Sequence, residues 1–168
     1  MRVQIDTYNV YNFDELSKDV QEKVLDKFRE NEDLPFLSED LSEYLAEKLK
    51  DNKITYKEMP EVFYSLSYCQ GDGAMFEGTV YWKSYTAKIK QSGHYYHYNS
   101  KNIELFSTKT DKEASDKVYQ QFNDIYVDMC KELEKYGYEQ IDYALSEKAI
   151  KETIDANEYE FTENGCIA

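Results

Sequence analysis

"YSLSYCQGDGAMFEGTVYW", residues 64–82, decides the fold. Hydrophobic residues alternate with small and polar ones, break at Gln70-Gly71-Asp72-Gly73, and resume. A period of two is the signature of a strand with one face buried, so the stretch reads as two strands around a loop. Gly71 and Gly73 accept positive φ without a steric cost, and Asp72 tolerates it, so the tetrapeptide makes a hairpin loop unaided. The glycines are explained by the turn. Gln70 before it and Glu77 just beyond it are not.

Outward from the hairpin, residues 61–69, 75–83, 93–100 and 103–108 are rich in Tyr, Val, Ile and Phe and read as strands. Short links favour an antiparallel meander, with residues 84–92 ("SYTAKIKQS") as a link whose composition also suits the start of a helix. Helical spacing takes over on both sides. Leu16, Val20, Val24 and Phe28 recur every four residues after a start at Asn12 or Asp14, and residues 38–50 place Leu41, Tyr44, Leu45 and Leu49 on one stripe. From Asp111 onward, Ala114, Val118, Phe122, Ile125, Met129, Leu133 and Tyr136 form a long core stripe, with Gly137 as its expected C-cap. Ser146 is placed to cap a short helix through Ala156, with Ala149, Ile150 and Ile154 inward. Residues 2–11 alternate through Val3, Ile5 and Thr7 as a first strand, and "EYEFTENGCIA", 158–168, reads as a last strand, an Asn-Gly turn and a tail. The expectation is one α+β domain over 1–168: an antiparallel sheet of four or more strands with helices packed on one face.

At 168 residues, with 41% hydrophobic and 15% aromatic content, the chain can bury a core and is not of disordered composition. Tyrosine stands out, at 17 against 8 Phe and 1 Trp. Its ring packs while its hydroxyl seeks a polar partner, which suits sheets and binding surfaces. The 34 acidic residues outweigh 20 basic ones for a net charge of −14. That excess repels phosphate backbones, which argues against direct duplex DNA binding, and it attracts a basic partner. Cys69, Cys130 and Cys166 are odd in number and widely spaced, so neither a disulfide framework nor a zinc site is signalled. Cys69 has no basic neighbour in sequence and is expected to be buried and structural. No secretory leader or long apolar run is present, so no membrane association is expected, and a cytoplasmic location is.

His94 and His97, both within "SGHYYHYNS" (92–100), are the two histidines of the chain. Their spacing of three puts them on opposite faces of a regular strand, so a two-histidine metal site would need a bulge or a strand end. If this stretch pairs near 75–83, one imidazole approaches Asp72 or Glu77, giving a general acid/base pair or part of a hard-metal site. The chain has no GxSxG, HExxH, GxGxxG or GxxxxGK signature.

Four stretches carry a resemblance: "FDELSKDVQEKVLDKFRE" (13–30), "SLSYCQGDGAMFEG" (65–78), "GHYYHYNS" (93–100) and "ETIDANEYEFTENG" (152–165). Together they resemble a family of small acidic proteins of phages, prophages and their bacterial hosts, described as uncharacterised or antitoxin-like. The resemblance implies action against host defence in the bacterial cytoplasm, as anti-CRISPR proteins act. The partner would then be a host defence protein with a basic surface, such as a Cas9-type nuclease with its guide RNA. In its positively charged channel, carboxylates would replace phosphates and tyrosine rings would replace bases. The residues carrying this would be Gln70, Gly71, Asp72, Gly73, Glu77, His94, Tyr96 and His97. A second expectation is a magnesium-dependent nuclease cutting guide RNA, with Asp72, Glu77, His94 and His97 as its catalytic groups. A third is an antitoxin that neutralises a basic toxin.

Overall fold

The computed structural model describes residues 7, 9–31 and 34–168. The chain's contacts gather in two compact units: Met1–Leu34 with Ile141–Ala168, and Pro35–Gln140.

The larger unit is built on β3, Gly73–Trp82, the longest strand. Two short strands lie end to end along one of its edges. β1, Ile54–Tyr56, pairs with its far end through Ile54↔Trp82, and β2, Glu61–Ser65, pairs with its near end through Ser65↔Gly73. On the other edge β4, Tyr85–Gln91, follows a two-residue connection in which Lys83 takes φ 54°, and β5, Lys101–Ser107, closes the sheet. Every pairing is antiparallel.

One sheet face is apolar because alternate residues of each strand are. Phe76, Val80, Trp82, Ala87, Ile89, Ile103 and Leu105 are all buried, and Val80, Ala87 and Leu105 are directly registered across three strands. Helix α3, Asp116–Ala144, belongs to this unit up to Gln140 and presents Phe122 and Tyr126 to that face. Trp82 meets Phe122 at 5.6 Å between ring centroids, Phe76 meets Tyr126 at 4.7 Å, and the Tyr126 hydroxyl donates to the Phe76 carbonyl (3.1 Å). Helix α2, Leu37–Asp51, buries Leu41, Leu45 and Leu49 and stacks Tyr44 on Tyr136 of α3 with rings 4.2 Å apart. The class is α+β, with an antiparallel sheet of five strands among the described residues.

The smaller unit pairs α1, Lys18–Glu30, with α4, Glu147–Ala156. Its core is Phe13, Leu16, Val24, Leu25, Ile150, Ile154 and Phe161. Ser146 caps α4 as its position predicts, its Oγ accepting from the Ala149 amide (3.2 Å). α1 begins later than expected because residues 13–15 form a separate 3-10 turn, held by the Glu15 carboxylate on the Asn12 amide (2.8 Å).

Several expectations are corrected. Residues 84–92 are mostly strand: Tyr85, Ala87 and Ile89 alternate with Thr86, Lys88 and Lys90. Residues 93–100 form no strand; they loop and end in a 3-10 turn over Tyr98–Ser100. α3 starts at Asp116, and Gly137 lies inside it, where a Cβ would run into Leu66 Cδ1 and glycine lets the helix close on that side chain. The terminal strand reduces to isolated bridges of Phe161 with Tyr11 and Ile167. The first strand expected over 2–11 lies largely outside the described residues.

Candidate functional site

The end of the sheet where β3 begins brings the two unusual stretches together. β2 ends at Ser65, four residues earlier than the period-two pattern suggests, and 66–72 forms a loop in which Tyr68 takes φ 56° and Gly71 φ 100°. Asp72 organises that loop. Its Oδ2 accepts from the amides of Ser67 (2.7 Å) and Cys69 (2.8 Å) and from the Tyr138 hydroxyl (2.7 Å), while Oδ1 accepts from Ser65 Oγ (3.0 Å). Four donors occupy a group with about four acceptor positions. The Cys69 amide foremost, then the Tyr138 hydroxyl, stabilise the ionised form and hold its pKa down to about 2. Burial first, and this same bond second, push the Tyr138 hydroxyl up to about 12. Asp72 is thereby a fixed anion that ties the loop to α3: three donors crowd Oδ2, and Oδ1 keeps one acceptor position beside Ser65 Oγ.

Glu77 has a comparable task one turn of the ladder away. The β3–β4 pairing stops at Gly78↔Ile89, and the next free amide, that of Gln91, donates to Glu77 Oε1 (2.6 Å). A side-chain oxygen replaces the missing backbone acceptor, so the strand ends satisfied and the chain turns into the 92–100 loop. Gln91 Nε2 reaches on to the Tyr95 carbonyl (3.3 Å).

That loop folds back over β3. Gly73 is buried beneath it: a Cβ there would meet His97 Cδ2 at 2.7 Å and the Tyr96 carbonyl oxygen at 3.0 Å. Tyr95 lies over Gly71, 3.5 Å from where a Cβ would stand. Tyr96 stacks on Phe63 of β2, ring centroids 5.5 Å apart, and Phe63 is the cross-strand partner of the fully buried Met75. His97 Nδ1 accepts from the Asn99 amide (3.0 Å) and its ring lies 3.8 Å from that of Tyr98, so it caps the 3-10 turn. A ring that accepts at Nδ1 carries its proton on Nε2 when neutral.

The predicted residues therefore divide. Gly71, Gly73, Tyr96 and His97 meet in the packing of loop on loop. The carboxylate of Asp72 turns toward 65–69 and Tyr138, and that of Glu77 toward Gln91. Gln70 and His94 are exposed. A hollow of about 560 Å³ beside β3 and β4 includes Glu77 but none of Gln70, Asp72, His94 or His97. Among the described residues no group of three His, Cys, Asp or Glu side chains is arranged to hold a metal ion.

Two contributors escape the sequence reading. Tyr68 and Tyr95 are 63% and 64% exposed, and with Tyr96 at 39% they put three exposed tyrosine rings on the two loops, 66–72 and 92–100, that meet where Tyr95 covers Gly71. Tyr68 leans on Tyr138 (4.6 Å between centroids), the residue that also holds Asp72. The Tyr95-Tyr96 doublet between the histidines was the available signal. Cys69, expected to be buried, is exposed on this loop because β2 ends before it, with its thiol on the Ser67 carbonyl (3.4 Å). The buried cysteine is Cys130, whose thiol burial pushes up to about 12. No protein-family profile, curated protein or solved structure matches this chain.

Proposed function

We propose that this protein acts by binding: it seats the Tyr68–Tyr95–Tyr96 rim on a basic partner that its acidic surface attracts. The observation carrying this reading is the exposure of three large rings on two loops, each loop fixed by its own hydrogen bonds. Large rings exposed on a rigid support lose little entropy on docking, and tyrosine is over-represented among residues that dominate interface energies. The net charge of −14 supplies long-range attraction to a cationic surface. With the resemblance of the 65–78 and 93–100 motifs to phage-associated proteins, the partner class is a host defence nuclease with a positively charged nucleic-acid channel, of Cas9 type. Guide-RNA cleavage draws less support, because both candidate carboxylates are engaged by backbone amides, Asp72 in organising its loop and Glu77 in ending the β3–β4 ladder.

The test is titration of the purified protein into guide-loaded Cas9, with DNA cleavage, complex formation and guide integrity followed together. Inhibition is expected to saturate at a fixed stoichiometry with the guide intact, to weaken as salt rises, and to weaken on the order of tenfold in Tyr95→Ala or Tyr96→Ala. Absence of a complex, or shortened guide produced with turnover, refutes the proposal.

A further inference from the structure

The smaller unit carries a hollow of its own, about 500 Å³, that the rim does not use. Val24 and Phe28 of α1, Thr153 of α4, and Phe161 and Ile167 of the closing segment line it. Gly165 forms part of its wall and, at φ +76°, lies so near α1 that a Cβ would stand 2.9 Å from Val24 Cγ2. Ile167 at its edge is 54% exposed, an apolar side chain with little cover.

A single cation borders this apolar floor. Lys27 Nζ donates to the Gly165 carbonyl (3.2 Å) and lies 3.7 Å from Cys166 Sγ, and among the described residues no carboxylate comes within 4.0 Å of it. Arg29 and Lys151 of the same unit each have two carboxylate partners; Lys18 and Lys23, like Lys27, have none within 4.0 Å among the described residues, and of these three Lys27 is the one that lines the hollow. In a chain with 34 acidic residues, an ammonium left to a carbonyl and a thiol beside an apolar hollow has charge to offer a ligand. A hollow of this volume, mostly apolar with one convergent charge, has the make-up of a small-molecule site.

We propose that this hollow binds a straight-chain aliphatic carboxylate, its tail against Phe28 and Ile167, over the buried Val24 and Phe161 beneath them, and its head on the Lys27 ammonium. Burial of the tail supplies affinity and the ammonium selects the anion.

Decanoate is the probe, with decanol and decyltrimethylammonium as neutral and cationic controls, all below their micelle concentrations. Calorimetry on the full chain is expected to show one saturable decanoate site, with decanol weaker and the cation weakest. Bound decanoate should slow iodoacetamide alkylation of Cys166 at least threefold, while Cys69, in the other unit, reacts at an unchanged rate as an internal reference. Lys27→Met, at an exposed position, should weaken decanoate at least fivefold and leave decanol unaffected, and Lys27→Arg should restore the preference. No saturable binding, equal binding of all three amphiphiles, or an unprotected Cys166 overturns the assignment.

Discussion

Asp72 shows how a single carboxylate can look catalytic in sequence and be structural in space. Its pKa falls from an ordinary 3.8 to about 2, so its contribution to stability is complete above the unfolded value and is lost as pH falls from about 4 through about 2. Replacing it by Asn keeps the shape but turns an amide N–H₂ toward a site furnished with donors. At about pH 6, Asp72→Asn should therefore unfold at lower urea than the wild type, and the gap should narrow and close as the pH is taken to about 2. A gap that stays constant would mean that the ionised form is not what the loop uses. Gly73 makes a second residue-scale case. Two of the three atoms its Cβ would strike belong to the backbone of residues 96 and 97, which cannot swing aside as a side chain does. Gly73→Ala should cost about 1–3 kcal/mol, read from urea midpoints, and should disturb the amide signals of 94–98.

Among the elements, the helix α3 and the loop 92–100 give opposite lessons. The α3 stripe was legible because core contacts follow the 3.6-residue period: Phe122, Met129 and Leu133 are buried as that period predicts. Phe122→Ala should cost about 3–5 kcal/mol, seen as a lower urea midpoint with an unchanged slope. The loop was misread because aromatic content imitates a strand. What ends the ladder is Glu77 capturing the Gln91 amide, a contact between residues whose side chain and backbone are 14 positions apart and which no local pattern encodes. The alternation of 85–90, by contrast, stood in the sequence and gave way only to the expectation of a link. Glu77→Ala leaves that amide without its acceptor and should speed hydrogen exchange through 91–98, whereas Glu77→Gln, which keeps an oxygen, should slow it back toward wild type. Exchange unchanged from wild type in both variants would show that the loop does not depend on the Glu77 contact and is held by its own hydrogen bonds and ring packing. For the candidate site as a whole, the meeting of 71–73 with 95–97 was foreseeable from their shared oddity. Which atoms face which was not, because each carboxylate is turned by donors from another element.

On the scale of the whole molecule, excess charge dominates. Seven ion pairs occur among the described residues, and most sit on exposed side chains, where a pair is worth about 0.2–1 kcal/mol. Against them stands the mutual repulsion of a chain carrying −14. Screening weakens both, but repulsion acts over longer distances and is lost first as salt shortens the Debye length to about 10 Å at 0.1 M. Moderate salt should therefore raise the urea midpoint at neutral pH. A midpoint that falls with added salt would show that the local pairs prevail.

The position of Trp82 has an optical consequence. It is the single tryptophan of the sequence, 3% exposed, and it sits between the sheet and Phe122 of α3 in the larger unit. Selective excitation of its indole thus reads the state of that unit alone. Far-ultraviolet ellipticity, to which α1 and α4 also contribute, reads both. Superimposing the two denaturation traces turns one side chain into a built-in gauge of whether the two units lose their structure together.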